Sequence, residues 1–499
     1  MKTFVRFSLY SLTVLALVFS ATGAAAAPEE HVLRSGKIFK VFPTGVDDTI
    51  NLQHAFDLAL AAGPGSTVQL AAGNFRIGHI EVPDFKGYFK GAGQDLTVID
   101  SLPGLDCQSL VNNNKEPALL YFIRGYPRIS DLTFHITPKG PCAPYHMDIH
   151  GDGWLDSNIF PLVVSTSPLD IHTDCDVNRI EQVSASIERI TIWGEDGDQP
   201  NGPDSPLWPN IYEGVYLGGT FPLMNGWENC PYQQKFAQGQ FRVVQSTFRN
   251  ALLGLALEAM YNSQVVTGGS PKDGNTFDYT IYGLFQCDTY ASNSEYSHNR
   301  LDHISANGFT LCSGGMSAVP FTQAGSNVVY RQNDITAEGW ANAFVLGDVD
   351  NLASTSSPPH VVIQNNRLKL LPDFVWGIFI VGGLEDPLIL NNQFEGNSDF
   401  AIVAGYDGLS RGGLIKGNNL NGYTLYNGSP YKIWLGADTE SYVVVGEPAE
   451  TVLDEGTNNL IVGNGRHGHQ QLGQAIQEAM KHKMEILKSL PRGFRSPVH

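Results

Sequence analysis

Short stretches of alternating apolar and other residues recur along the middle of the chain. One set reads as a small residue, then apolar, variable and apolar positions, as in Gly254-Leu255-Ala256-Leu257 and Gly308-Phe309-Thr310-Leu311. A period of two is typical of a strand that buries one of its faces. The pattern therefore predicts many short strands rather than helices.

A second set of strands is centred on a single apolar residue that often follows an Asn. Its apolar positions are Phe134, Ile192, Phe248, Phe277, Leu301, Ile335, Leu368, Phe394 and Leu420. The asparagines are Asn275, Asn299, Asn333, Asn366, Asn392 and Asn419. The later steps of about 24 to 34 residues suit one turn of a solenoid, whereas propeller blades run longer. We expect three stacked strands per turn, with Asn amides forming a ladder at one bend.

The start of the repeat has a recognisable form. Residues 47–62 predict a capping helix with Asp47 or Asp48 at its N-cap, and a strand over 67–70 follows. Together with Ala72-Gly73-Asn74 and Gly91-Ala92-Gly93, this segment resembles the opening of pectate-lyase-superfamily proteins. The resemblance implies an all-β, right-handed parallel β-helix, and it carries over no catalytic residue.

The two ends of the chain differ from this repeat. Residues 1–26 read as an export signal that precedes one β-helix domain over 27–468, so we expect a secreted or periplasmic protein. Residues 469–499 carry an apolar helical stripe and predict a C-terminal helix, which either covers the end of the solenoid or binds a partner. A net charge of −19 argues against nucleic acid as a partner, and no later stretch is long and apolar enough for membrane insertion.

Four insertions interrupt the early turns, over residues 138–158, 165–183, 194–212 and 219–240. In a solenoid such insertions rise from one side and build walls. We expect a substrate cleft beside the adjacent strands.

Six cysteines in an exported chain can form disulfides. Equivalent positions on successive turns lie within disulfide range, which predicts the pair Cys287–Cys312. Positions in equivalent insertions suggest Cys107–Cys142 and Cys175–Cys230, and Cys142–Cys175 stays open as an alternative.

Two acidic segments are candidate calcium sites. The spacing of Asp148, Asp152 and Asp156 resembles the front half of a calcium loop, without its final bidentate Glu. Asp196 and Asp198 lie in a second acidic cluster. Calcium is therefore a possible cofactor, and a solvated polar loop is the alternative at both places.

Candidate acids and bases lie near the expected cleft. Glu213, Glu258, Asp288 and His303 are candidate catalytic residues, and Arg249 could stabilise charge or act as a base. Paired carboxylates one or two turns apart would match the spacings used by glycosidases. Each residue could equally be a surface side chain.

Aromatic residues concentrate in or beside the insertions and are candidates for stacking on sugar rings. They are Trp154, Trp193, Trp208, Tyr212, Tyr216 and Trp227. The alternative is that they pack the long loops.

The sequence thus favours a secreted polysaccharide lyase or glycoside hydrolase with a glycan substrate. A non-catalytic glycan-binding or surface β-helix and an intramolecular glycosyl transferase are the alternatives. The sequence does not give the oligomeric state.

Overall fold

The computed structural model describes residues 31–103, 105, 110, 118–136, 160–168, 179–194, 213–219, 235–311, 326–338, 341–347, 360–371, 376–425 and 428–463. The backbones of Glu213 and Asp288 are included, but their side chains are not. The predicted signal, the C-terminal tail and most of the four predicted insertions lie outside these residues.

The protein is a right-handed parallel β-helix, as the repeat predicted. Each full turn has three strands, which stack on the equivalent strands of the next turn to form three faces. Face 1 comprises Ile38–Val41, Thr67–Leu70, Tyr88–Lys90, the first halves of Arg128–Ile136 and Ala185–Gly194, Gln240–Val244, Gln264–Gly268, Asn293–Ser297, Asn327–Arg331, His360–Gln364, Leu388–Leu390, Leu414–Lys416, Val443–Val445 and Leu460–Val462.

Face 2 follows face 1 in each turn and carries the apolar column centred on Phe248. It comprises Gly73–Ile77, Thr97–Ser101, the second halves of Arg128–Ile136 and Ala185–Gly194, Thr247–Arg249, Thr276–Asp278, Arg300–Ile304, Asp334–Ala337, Arg367–Leu370, Gln393–Ser398 and Asn419–Leu425.

Face 3 closes each turn. It comprises Ile80–Pro83, Ala118–Ile123, Phe160–Ser165, Glu213–Gly218, Leu253–Tyr261, Tyr282–Tyr290, Asn307–Leu311, Asn342–Leu346, Trp376–Ile380, Phe400–Ala404, Ile433–Leu435 and Val452–Asp454.

A few elements lie outside the three faces. Val32–Ser35 pairs antiparallel with the first strand of face 1, and a 3-10 turn spans Ala449–Thr451. Ser410–Arg411 pairs with Thr439–Glu440. Arg179–Gln182 pairs with Lys235–Gln238, so the last residues of two predicted insertions are strands that extend face 3.

The predicted capping helix spans Thr49–Ala62 and closes the first turns. Its residues Leu52, Phe56 and Ala59 are fully buried, and the Phe56 ring lies 5.2 to 5.6 Å from three other phenylalanine rings. Aromatic burial of this kind dominates core energetics. The helix therefore shields the apolar interior at the start of the solenoid.

The interior is filled by inward apolar residues from all three faces. The column predicted for face 2 runs in register from Phe134 through Phe277 to Phe394, one residue per turn. Stacked rings such as Phe248 and Phe277, 4.8 Å apart between centroids, show how closely successive turns pack. Each turn thus buries its apolar residues against its neighbours, which is the defining property of a solenoid.

A buried asparagine ladder occupies the bend between faces 1 and 2, as predicted. The Nδ2 atom of Asn275 donates to Oδ1 of Asn299 at 2.9 Å, and the same contact repeats turn by turn. The ladder members are Asn275, Asn299, Asn333, Asn366, Asn392 and Asn418. Each acceptor also receives a backbone N–H of the preceding turn, which would otherwise be buried without a partner.

The last ladder position corrects the sequence prediction by one residue. Asn418, not Asn419, accepts from Asn392, at 2.9 Å from its backbone N and 3.0 Å from Nδ2. Asn419 is exposed and accepts only a local bond from the N–H of Asn421. The physical reason is that each ladder Asn lies two positions before the inward apolar residue, directly after the residue that makes the bend.

We predict that Asn418→Ala destabilises the solenoid and that the neighbouring Asn419→Ala does not. The first change removes a buried acceptor of two hydrogen bonds and should lower the free energy of unfolding by about 1–3 kcal/mol. The exposed control should stay within about 0.5 kcal/mol. Denaturant titration of both variants measures this, and equal losses would contradict the ladder's role.

The second prediction concerns Cys287, which is engaged in a disulfide bond. Cys312 lies outside the described residues, as do Cys107, Cys142, Cys175 and Cys230, so all three predicted pairings stay predictions. Gln286 pairs with Leu311 on the next turn, and Cys287 and Cys312 are the residues that follow these two in the sequence. Non-reducing peptide mapping should recover a Cys287–Cys312 peptide, and a link from Cys287 to any other cysteine would disprove this pairing.

Candidate functional site

Outward-facing residues of face 2 form a continuous line of polar and aromatic side chains. We call this line the polar column, and its members are register partners on seven successive strands. They are Arg76, Asp100, His135, Trp193, Arg249, Asp278 and Asp302. Since neighbouring strands lie about 4.8 Å apart, each of these side chains lies beside the next.

An aromatic surface lies in the first half of the polar column. The indole of Trp193 packs on the imidazole of His135 with 4.6 Å between ring centroids, and Trp193 is 41% exposed. His135 is held from its other side by Asp100, whose Oδ1 lies 2.7 Å from Nδ1. Trp193 was predicted to bind sugar, and the structure places it at the surface with its ring fixed by neighbours.

The second half of the polar column contains an acid–base cluster around His303. Its Nδ1 lies 3.0 Å from Asp278 Oδ1, and its Nε2 lies 3.6 Å from Glu338 Oε1. Arg249 Nε lies 3.7 Å from Asp278 Oδ2. The predicted residues Arg249 and His303 therefore meet, through an aspartate that the sequence prediction did not single out.

The local backbone explains how His303 reaches this position. His303 and Tyr279 occupy equivalent bends between faces 2 and 3, each with φ of 52°. This left-handed conformation is uncommon for residues other than glycine. Because the two bends are one turn apart, the rings stack with 4.2 Å between centroids and 1° between planes. The imidazole of His303 is thereby stacked on the ring of Tyr279 at the protein surface, with Nδ1 facing Asp278 and Nε2 facing Glu338.

This arrangement can move protons. In the tautomer whose Nδ1–H donates to Asp278, the Nε2 lone pair is a proton acceptor, and the aspartate stabilises the imidazolium that forms. The His303 side chain is 40% exposed, so a bound ligand can reach it. His303 and Asp278 together have the geometry of a general acid–base pair.

A pair of carboxylates lies beside this histidine. Asp278 and Asp302 are register partners on adjacent strands. The sheet spacing places such side chains about 5 Å apart, a separation typical of the two carboxyl groups of retaining glycosidases. Arg300 Nε lies 2.5 Å from Asp302 Oδ2 and balances part of the negative charge.

Sequence reasoning missed Asp278, Tyr279, Asp302 and Glu338, although a signal was present for two of them. Asp278 and Asp302 each follow an inward residue of the apolar column, as Arg249 follows Phe248. An alignment of the residues that follow the apolar column would have placed Asp278, Asp302 and Arg249 at equivalent positions. No comparable pattern marks Glu338, which follows the strand Asp334–Ala337.

The predicted glutamates of face 3 are not brought together. Strand register places Glu213 beside Leu253, and it places Glu258 beside Gly218. Gly218 is five positions after Glu213 on the same strand, so the backbones of the two glutamates are separated by roughly 16 Å along the strand direction. Glu258 is also only 5% exposed. Asp288 lies on face 3 one residue after Cys287, so its backbone belongs to a different face from His303.

Other predicted residues have mixed placements. Tyr216 is buried on the outside of face 3, where its hydroxyl donates to the carbonyl of Gly219 at 2.5 Å. The remaining predicted aromatic and calcium residues lie outside the described part of the chain, and their roles stay predictions. They are Trp154, Trp208, Tyr212, Trp227, Asp148, Asp152, Asp156, Asp196 and Asp198.

A second aromatic surface, unforeseen from the sequence, lies on the outside of face 3 in the later turns. We call it the aromatic platform, and it consists of Trp376, Phe379, Phe400, Tyr406 and Trp434. Neighbouring rings lie 4.4 to 5.6 Å apart, Tyr406 is 49% exposed, and the other four are partly exposed. Trp434 Nε1 donates to Glu455 at 2.9 Å. The platform combines flat apolar rings with polar edges.

Two negative findings concern the described residues alone. They contain no group of three or more His, Cys, Asp or Glu side chains suited to hold a metal ion. None of their helices is long and apolar enough to cross a membrane.

Comparison with known proteins adds architectural likeness only. No family model and no curated protein matches the chain. A mannuronan C-5 epimerase A-module from Azotobacter vinelandii is similar in structure at 14% identity, covering 88% of this chain and 98% of that one, with a TM-score of 0.46. An exopolygalacturonase from Thermotoga maritima has 12% identity, coverage of 87% and 94%, and a TM-score of 0.39. A surface protein and adhesin of Streptococcus pneumoniae has 10% identity, coverage of 84% and 97%, and a TM-score of 0.40.

Proposed function

We propose that this protein is an exported glycoside hydrolase that binds a glycan along the polar column and cleaves it at Asp278 and Asp302. The observation that carries the proposal is the register pairing of these two carboxylates next to an exposed histidine. Trp193, two strands before Asp278 on the same column, is positioned to stack on a neighbouring sugar ring.

The charge of the protein favours a substrate of low charge. The chain carries a net charge of −19, and the arginines beside the two aspartates are each matched by an acid. A densely anionic polysaccharide would meet repulsion without a local excess of cations. A glycan of low charge fits this surface.

The reaction follows from the positions of the groups. Asp302, lying against Arg300, attacks the anomeric carbon while the glycosidic C–O bond breaks. The leaving oxygen takes its proton from the His303–Asp278 pair. Water, deprotonated by the same pair, then hydrolyses the glycosyl ester and releases Asp302. Two carboxyl groups about 5 Å apart correspond to retention of the anomeric configuration.

We predict that Asp278→Asn and Asp302→Asn each reduce kcat by about 100-fold or more, since Asp302 forms the glycosyl ester and Asp278 supports proton transfer by His303. The matched control is Asp334→Asn, an exposed carboxylate on the next strand of face 2, outside the polar column. Release of reducing ends from a panel of neutral and uronate-containing polysaccharides measures the rate.

Product chemistry tests the reaction class in the same assay. New reducing ends without an unsaturated product support hydrolysis. Ultraviolet absorbance from an unsaturated sugar would show that the reaction is an elimination and not a hydrolysis. In an elimination, Arg249 would neutralise the carboxylate of a uronate. A cyclic product would indicate a transferase. Full activity in both Asn variants would disprove the assigned site.

The aromatic platform favours a second candidate, a glycan-binding protein without catalysis. We predict that Trp376→Ala and Trp434→Ala each weaken binding by about 1 kcal/mol, the scale of one aromatic stacking contact. This corresponds to roughly a fivefold rise in Kd. The matched control is Tyr88→Ala, an aromatic residue 40% exposed on face 1.

Glycan binding by calorimetry, measured beside product formation, separates the two candidates. Binding that depends on the platform, with no product from any glycan in the panel, would favour the non-catalytic function. Unchanged glycan affinity in both tryptophan variants would show that the aromatic platform is not part of the binding surface.

A further inference from the structure

The outside of face 1 changes character along the solenoid. One outward register column runs through every turn of this face, and several of its residues in the early turns are exposed. Tyr88 is 40% exposed, and the side chain of Arg242 is 44% exposed. In the later turns the same column is apolar and buried.

We call the later part the outer stripe. Its register partners on six successive strands are Val329, Val362, Leu388, Leu414, Val443 and Leu460. The first five are 1% to 7% exposed although they point away from the core, and Leu460 is half-buried. Leu390 and Val445 widen the stripe on the last turns.

Among the described residues, the apolar cluster that contains the outer stripe consists of stripe residues alone. The capping helix packs at the opposite end of the solenoid, against the first strands. The described strands of face 1 pack mainly on their neighbours in the stack. Five valine and leucine side chains in a row would otherwise form an exposed apolar patch, which is a feature of interaction sites.

We propose that residues 469–499 of the same chain form an amphipathic helix that lies along the outer stripe. The described chain ends at Gly463, directly after Leu460–Val462, which is the last strand of the stripe itself. The following residues Asn464 to Gly468 include two glycines and suit a turn back onto this face.

The apolar positions of the segment match the stripe in length and spacing. They are Leu472, Ile476, Met480, Met484 and Leu487. Steps of four and three residues place them on one helical face. Sixteen helical residues from Leu472 to Leu487 rise about 24 Å, and five gaps between six strands span about 24 Å.

Charge favours the same occupant. The segment contains five Lys and Arg and two Glu, so its net charge is +3. Since the whole chain has a net charge of −19, the rest of the chain has a net charge of −22. A basic helix on an acidic body gains long-range attraction in addition to apolar burial. In this proposal the helix covers the side of the solenoid, whereas the sequence analysis left open a helix that covers its end or binds a partner.

The test is photo-crosslinking of the full-length protein with a benzophenone amino acid at Met480, on the apolar face, or at Glu478, on the opposite face. Crosslinks from position 480 should fall on peptides containing His360–Gln364, Leu388–Leu390 or Leu414–Lys416. Position 478 should give few. Crosslinks confined to the last turn, or joining two molecules, would overturn the proposal in favour of an end cap or a dimer contact.

A second pair of variants keeps the test independent of the probe. Met480→Asp places a charge on the stripe-facing side, whereas the control Gln474→Asp places the same charge on the solvent side. Met480→Asp should increase binding of a hydrophobic dye at least several-fold over wild type, and the control should match wild type. Equal dye binding in all three proteins would also overturn the proposal.

Discussion

The parallel register between successive turns is the constraint on which the rest of this protein depends. From Asn275 onward it is enforced where the chain bends from face 1 to face 2, because each ladder asparagine after the first accepts both a backbone N–H and a side-chain amide from the turn before it. A buried amide without a partner is costly, so a turn that slips by one residue loses several bonds at once. The ladder therefore fixes register more strictly than apolar packing, which tolerates exchange among Phe, Leu and Ile in the same column.

Register also determines which residues become chemical neighbours. Trp193 and Arg249 are separated by 56 positions in the chain, yet they are adjacent on the polar column. The two predicted insertions between them lengthen the chain while the strands stay in register, since loop length costs little once the flanking strands are fixed. The left-handed bends at Tyr279 and His303 complete the site, because equal φ angles on successive turns bring two rings face to face.

The three faces share one interior but differ on the outside. Face 2 presents charged and titratable groups, face 3 presents aromatic rings, and face 1 presents the outer stripe. Inward residues are held to apolar types by the core, whereas outward residues are free to differ from face to face. A solenoid can therefore carry titratable groups, aromatic rings and an apolar stripe on separate faces without conflict between them.

The sequence by itself determined the period, the strand positions and the inward residues, because apolar alternation and bend residues are local signals. It also singled out Arg249, His303 and Trp193 as candidates, and the structure places all three on or beside the polar column, although their roles stay predictions. It misplaced the last ladder asparagine by one residue, because Asn418 and Asn419 are alike in composition and differ only in which side of the bend they face. Only the tertiary structure decided how far apart Glu213 and Glu258 lie, that Asp278 joins Arg249 to His303, and that the outer stripe is buried. These outcomes depend on register summed over many turns, a quantity that no local pattern contains.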